Sequence, residues 1–271
     1  MSQTTEAPNK LVSSESPWHT RDWVARRSAA AVSRSAAAVV NLIFPPSCQL
    51  CWQDIDGTDE VHVCVACRNE LRNRKPLCSA CAMPLPNPAS PNAVSCPACR
   101  NEQFQFASVQ AVGLYDGPLR DGVLRMKKAH EEALTLTMGR LLAETVQFSD
   151  PLSPDLVAPV PMHWTRRITR GTNPSEVLAE IVASKMGIPV ASDLLRCRRK
   201  TRKQGMLLPD QRRRNVREAF SASTGYDIRD ACVLLIDDVM TTGATGNELS
   251  RMLRRAGAKR VSVAVVARGT G

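Results

Sequence analysis

Aromatic residues are scarce. Five Phe, four Trp and two Tyr make up 4% of the 271 residues, too few for a single-strand nucleic-acid binder built mainly on stacked rings. Long apolar runs are also missing: the best, residues 36–44, falls well short of the roughly 20 residues that a membrane-spanning helix needs. Residues 1–17 are polar and have no basic start, apolar stretch or small-residue site of a secretory signal. Acids are the minority charge, with 26 Asp and Glu against 36 Lys and Arg, a formal net charge of +10. Together these absences predict a cytoplasmic chain, in which thiols stay reduced and regularly spaced cysteines mean metal before disulfide. A hydrophobic content of 43% with 23% charged residues excludes wholesale disorder. The length suits a medium domain joined to a small one.

Residues 1–46 are expected to hold an unstructured start and then an Ala/Arg-rich helix over about 18–44, stopped by Pro45-Pro46. Its apolar side is expected to dock on the next domain. A basic amphipathic helix on a membrane surface, peripheral at the inner membrane face, is the alternative reading of the same residues.

Residues 47–103 form a second segment, rich in Pro and Asn between 83 and 97. It holds four C-x-x-C pairs: Cys48/Cys51, Cys64/Cys67, Cys78/Cys81 and Cys96/Cys99. Two intervening residues let both sulfurs of a tight turn face one ion, and four thiolates complete a tetrahedral zinc site. Four pairs therefore predict two zinc ions, closed and structural because every ligand is a thiolate. An iron–sulfur centre is the competing occupant. Sequential pairing, first pair with second and third with fourth, closes the shorter loops and is preferred to a cross-braced arrangement. His62 is expected at the surface. Cys197 and Cys232 lie outside the module, Cys232 as plain core.

From residue 104 to 271 the texture is α/β. Residues 106–115 and 155–160 read as strands, and 231–237 and 261–266 as strands buried on both faces. Asn173 as N-cap, Pro174, Glu176 and Gly187 bound a helix over 173–186, and a second helix follows from about Thr245 to Ala256. Strand–helix–strand order predicts a parallel sheet flanked by helices.

The most informative run joins strand 233–236 to Asp237, Asp238, Val239, Met240 and then Thr241, Thr242, Gly243, Ala244 and Thr245. A buried strand delivers two acids to its carboxyl end, where open α/β sheets bind ligands. The loop and helix start that follow offer backbone N–H groups and three hydroxyls, an anion cradle suited to a phosphate. The acids would repel that phosphate and are better used as acceptors from neutral hydroxyls, such as a ribose diol. The P-loop lysine and spacing are absent, so nucleoside triphosphate hydrolysis is not indicated.

This run resembles the phosphoribosyl pyrophosphate motif of type I phosphoribosyltransferases. The resemblance implies ribose binding by Asp237 and Asp238, 5-phosphate binding by Thr241–Thr245, and Mg²⁺ accompanying the sugar phosphate. Several further segments stand in the same order: the Cys pairs, Tyr115-Asp116-Gly117-Pro118-Leu119, Lys127-Lys128, Pro159-Val160-Pro161, Arg170-Gly171-Thr172-Asn173, Thr201 with Gln204, and Arg214-Asn215. With them, residues 44–271 are similar to the ComF family of competence-associated, amidophosphoribosyltransferase-like proteins. That family implies an N-terminal zinc-binding part and a role in DNA uptake, with the uptake machinery as a partner. Two departures stand out. Thr172 and Pro174 occupy positions where family members usually carry an aromatic and a Gln. Thr241 stands where some purine-using relatives place an Asp, which counts against purine salvage.

Residues 196–217 concentrate the positive charge in ten cations (Arg196, Arg198, Arg199, Lys200, Arg202, Lys203, Arg212, Arg213, Arg214 and Arg217) against one acid, Asp210. Such crowding calls for an anion, either the donor pyrophosphate under a mobile hood or single-stranded DNA. Arg166, Arg167 and Arg170, following the 155–160 strand, are further pyrophosphate candidates. The expectation is thus a phosphoribosyltransferase-like protein that binds phosphoribosyl pyrophosphate. The alternative is a non-enzymatic zinc-ribbon protein that binds nucleic acid or regulates, with the sugar phosphate only as ligand.

Overall fold

A continuous run of apolar residues, buried on both sides, places strand β5 at the centre of the fold. The computed structural model describes residues 45–55, 61–71, 77–85, 96, 99, 102–149, 153–199 and 209–270. The helix expected over 18–44, most of the Pro-rich stretch between 83 and 97, and residues 200–208 of the basic segment lie outside these. In chain order the elements are α1 (Val65–Leu71), β1 (Ser108–Leu114), α2 (Gly117–Arg125), α3 (Glu132–Ser149), β2 (Leu156–Pro159), α4 (Trp164–Arg170) and α5 (Pro174–Met186). They continue with β3 (Leu195–Cys197), α6 (Pro209–Val216), β4 (Phe220–Ala222), β5 (Cys232–Met240), α7 (Ala244–Arg255) and β6 (Arg260–Arg268).

Four strands form one parallel sheet in the order β1-β6-β5-β2. A parallel bridge between Val157 and Val190 extends it beyond β2. Side chains alternate across the sheet with the period of two that strands impose. Val233 and Leu235 of β5, with Val261, Val263 and Val265 of β6, enter one core with Leu249 and Leu253 of α7. Leu234, Ile236, Ala264 and Val266 enter the other, against Leu134, Met138 and Leu142 of α3 and Leu178 and Val182 of α5. Antiparallel β3 and β4 form a separate two-stranded ribbon.

The two cysteine turns near residues 50 and 80 repeat one geometry. Cys48 N–H donates to Gln53 O (2.7 Å) and Trp52 N–H to Cys48 O (2.9 Å); Cys78 N–H donates to Met83 O and Ala82 N–H to Cys78 O, both at 2.8 Å. Trp52 and Ala82 both take a left-handed φ, 66° and 55°. Cys48 and Cys67 are buried in the α3/α5 core, whereas Cys78, Cys81, Cys96 and Cys99 belong to the α7 core. The two knuckles thus join opposite faces of the sheet.

Three local expectations need correction. Cys232 is half-buried rather than core, because it is the first residue of β5, where its N–H meets Asp155 Oδ2 at 2.7 Å. His62 is also half-buried, with its carbonyl accepting from Gln49 N–H. Asn173 holds the N-cap position of α5, but its side chain does not cap the helix. Buried beneath β2's end, its Nδ2 donates to Val160 O (3.3 Å) and to Glu176 Oε1 (3.2 Å).

Candidate ligand-binding site and metal centres

Asp237 and Asp238 stand at the carboxyl end of β5, flanked by two elements that the hydrophobic pattern did not reveal as partners. Ser175, in the first turn of α5, donates its hydroxyl to Asp237 Oδ1 at 3.2 Å, and the Asp238 N–H meets the same oxygen at 2.9 Å. Lys127, just past α2, pairs with Asp238 Oδ2 at 3.1 Å. Burial, and then the negative charge of Asp238, push the Asp237 carboxyl well above the usual carboxylate range; the two hydrogen bonds only partly oppose this.

The loop after β5 turns on Gly243, which has φ 77° and ψ 5°. The positive φ calls for glycine, and a Cβ there would lie 2.7 Å from the flexible end of Met240, Cε. Helix α7 begins at Ala244, one residue earlier than the sequence pattern suggests. Thr242 Oγ1 accepts from the Ala244 N–H at 3.4 Å, and Gly243 supplies no capping side chain. Acid pair, threonine loop and helix start are therefore consecutive at one end of the sheet. That arrangement offers acceptors for hydroxyls beside donors for an anion.

The arginines on α4 divide. Arg167 is exposed and pairs with Glu176 at 2.7 Å. Arg166 is partly buried, and burial together with the charge of Arg170 lowers its guanidinium pKa. In the basic segment Arg196, Arg198, Arg214 and Arg217 are exposed. Arg199 instead reaches back to the carbonyls of Asn215 (2.9 Å) and Arg217 (3.1 Å), drawing the ends of the segment together.

The eight paired cysteines gather into two tetrads, Cys48/Cys51/Cys64/Cys67 and Cys78/Cys81/Cys96/Cys99, with all four sulfurs of each within 4.8 Å of one another. Pairing is thus sequential rather than cross-braced. Neighbouring sulfurs lie 3.6 Å (Cys51–Cys64), 3.6 Å (Cys81–Cys96) and 3.8 Å (Cys78–Cys99) apart. A regular tetrahedron with zinc–sulfur bonds of about 2.3 Å has edges of about 3.8 Å, so both tetrads fit one zinc ion each. A cluster of several irons needs thiolates spread around it, which these compact sets do not provide. Burial raises the Cys48 thiol, but the backbone N–H groups of Cys51, Cys64 and Leu50 outweigh it and bring it down to about 7. Those of Cys96, Cys81 and Ala80 do the same for Cys78, also to about 7. Burial and the neighbouring thiols push Cys67 and Cys99 upward.

Two buried or half-buried arginines that the sequence did not single out tie these knuckles to the α/β domain. Arg125 binds Glu131 through two nitrogens at 2.9 Å each, donates to Gln49 O at 2.8 Å and lies over the Trp52 ring at 4.4 Å. Arg268, only 4% exposed, donates to Cys81 O at 2.6 Å.

Comparison with known proteins follows this division. Residues 39–100 match the double zinc ribbon domain and residues 172–270 the phosphoribosyl transferase domain. A protein of Salmonella typhi named DNA utilization protein YhgH is 29% identical over 227 residues, covering 82% of this chain and 96% of the relative. Competence protein F of Haemophilus influenzae is 28% identical over 211 residues, covering 76% and 90%. Among solved structures, the glutamine phosphoribosylpyrophosphate amidotransferase of B. subtilis aligns with a TM-score of 0.32 and 23% identity. That alignment covers 53% of this chain and 26% of the amidotransferase.

Proposed function

We propose that this chain, in which a double zinc ribbon domain precedes a phosphoribosyl transferase domain, is a member of the ComF family and binds phosphoribosyl pyrophosphate at the carboxyl end of β5. The observation that carries the proposal is the direct succession of Asp237, Asp238 and the Gly243 cradle on one strand end. Asp237 and Asp238 accept from the ribose hydroxyls. Thr241, Thr242, Gly243, Ala244 and Thr245 hold the 5-phosphate through N–H groups and hydroxyls. Lys127 leaves Asp238 for the pyrophosphate, joined there by Arg166 and Arg170. The carboxylates of Asp237 and Asp238 are hard oxygen donors that fit Mg²⁺. Bound with the sugar phosphate, Mg²⁺ supplies charge neutralisation to the leaving pyrophosphate.

The reaction this set of groups suits is displacement of pyrophosphate from C1 of the ribose. The C1–oxygen bond breaks with both electrons leaving on pyrophosphate, positive charge develops on the ring, and the acceptor's lone pair forms the new bond to C1 as the acceptor gives up its proton. The protein's part is electrostatic, with cations toward the leaving group and no covalent step. Zinc at the two tetrads is structural. Relatives named a competence protein and a DNA utilization protein support a role in DNA uptake or use.

Calorimetry with phosphoribosyl pyrophosphate and Mg²⁺ tests the binding, and pyrophosphate release with nucleobases or ammonia as acceptors tests turnover. Replacing Asp237 and Asp238 together by Ala should weaken binding about a hundredfold, as expected when two charge-assisted acceptors are removed, with zinc content unchanged. Parental affinity in that variant would remove the assignment.

A further inference from the structure

Arg268 is a buried cation to which no carboxylate pairs among the described residues. Its Nε donates to Cys81 O at 2.6 Å, inside the second cysteine knuckle. Its Nη1 donates to Met240 O at 3.0 Å and to the carbonyls of Thr241 and Gly269. One planar group thus spans the turn that presents Cys78 and Cys81 and the start of the loop that leads to Gly243. Gly269 continues the junction: its N–H donates to Met240 O at 2.8 Å, and a Cβ there would lie 3.0 Å from Thr241 Cγ2.

Four carbonyl oxygens accept from Nε and Nη1 but leave the guanidinium's charge unbalanced, and a buried unbalanced charge is costly. A zinc ion held by four thiolates carries a net double negative charge, and Cys81, whose carbonyl Arg268 binds, is one of those ligands. On the other side, a phosphate seated in the Thr241–Thr245 loop would be a second anion close to the same cation. From this we infer that Arg268 is a positioning residue that couples zinc occupancy of the Cys78/Cys81/Cys96/Cys99 tetrad to the shape of the phosphate cradle. The cradle's ligand rests on the function proposed above. The link between Arg268 and the tetrad rests on the geometry alone. Because coupling between two binding equilibria is reciprocal, sugar phosphate should tighten zinc at this tetrad as much as zinc tightens sugar phosphate.

The test uses the full zinc-loaded chain. Arg268→Met removes the donor from the carbonyls of Cys81, Thr241 and Gly269, leaving only Met240 O with its Gly269 N–H, and is expected to fold poorly, so Arg268→Lys decides. Lysine keeps the charge but has no planar fork to reach both loops at once. Competition with a graded chelator reads the removal of each zinc ion, with and without phosphoribosyl pyrophosphate, and calorimetry reads the sugar phosphate. Cys51 is exposed while all four cysteines of the other tetrad are buried, so the more resistant step reports the second tetrad.

In the parent, sugar phosphate should raise the chelator needed for that resistant step about tenfold. In Arg268→Lys the step should come at about tenfold less chelator, be indifferent to sugar phosphate, and accompany a roughly tenfold weaker affinity for it. The easier step should not move. A resistant step at the parental position overturns the inference whatever happens to sugar-phosphate binding, and so does a weakened step with unchanged sugar-phosphate affinity. If the parent itself does not bind phosphoribosyl pyrophosphate, the proposed function fails on its own account. The unliganded resistant step then decides whether Arg268 supports the tetrad.

Discussion

At the scale of single residues, Asp237 carries opposite demands. Its carboxyl is pushed above the usual range by burial and by Asp238, yet acceptance from ribose hydroxyls calls for the ionised form. Affinity for the sugar phosphate should therefore increase as pH rises through this raised value, and binding should release a proton. Calorimetry in buffers of different ionisation enthalpy reads that release directly. Stability runs the other way. A carboxyl whose folded pKa is raised contributes stability fully present below its unfolded value and lost as pH rises through the folded one. Asp237→Asn should consequently melt higher than the parent at about pH 8, with the gap closing toward about pH 4. Equal melting temperatures across that range would show that Asp237 is not strained. Gly243 carries a different constraint. Alanine there adopts a left-handed conformation at a cost of roughly 1–2 kcal/mol and meets Met240 Cε, whose flexible end can yield. Gly243→Ala should fold and keep its zinc, with sugar-phosphate affinity reduced about tenfold.

At the scale of elements, the metal-binding turns behave as separate inserts into two cores. Cys51 is exposed, whereas Cys78, Cys81, Cys96 and Cys99 are 1%, 1%, 2% and 8% exposed. Chelation should thus proceed in two steps, and Cys51→Ser should lower the chelator requirement of the easier one alone. A single cooperative loss of both ions would contradict the separation. Strong local patterns made the central elements legible in the sequence. The Val233–Ile236 run marked β5 and the Val-rich stretch 261–266 marked β6; the Pro174 and Gly187 boundaries marked α5; paired cysteines marked both tetrads. The residues around the acids were harder to find because their signal is tertiary. Ser175 reads as an ordinary first-turn residue, Lys127 as one of two lysines after a helix, and Arg268 as the last residue of an apolar strand. Nothing local distinguishes Arg167, which pairs with Glu176 on the next helix, from the partly buried Arg166 either.

At the scale of the molecule, the net charge of +10 is carried disproportionately by residues 196–217. Among the described residues five of their arginines, Arg196, Arg198, Arg199, Arg214 and Arg217, are exposed. Two anions suit such a concentration of charge, single-stranded DNA and the donor pyrophosphate, and one variant separates them. Neutralising Arg212, Arg213 and Arg214 should flatten the salt dependence of DNA binding by about 0.7 in log–log slope for each phosphate that is no longer neutralised. Sugar-phosphate affinity should hardly change, since the cradle proposed around Gly243 relies on N–H groups and hydroxyls. The reverse result, weaker sugar-phosphate binding with an unchanged DNA slope, would assign the segment to the pyrophosphate instead.

The connectivity of the sheet also orders events in time. β1 leaves the ribosome early but among the described residues pairs only with β6, so Ser108 waits for Ser262 before it has a neighbour in the sheet. Both sets of thiols are complete by Cys99 and can take up metal while more than half of the chain has yet to be made. The second knuckle then remains a loaded but undocked unit until the 268th residue arrives to bind the Cys81 carbonyl. During that interval its apolar side is open to water or to a chaperone. A nascent chain stalled after residue 256 should therefore hold two zinc ions yet remain sensitive to protease throughout the α/β domain.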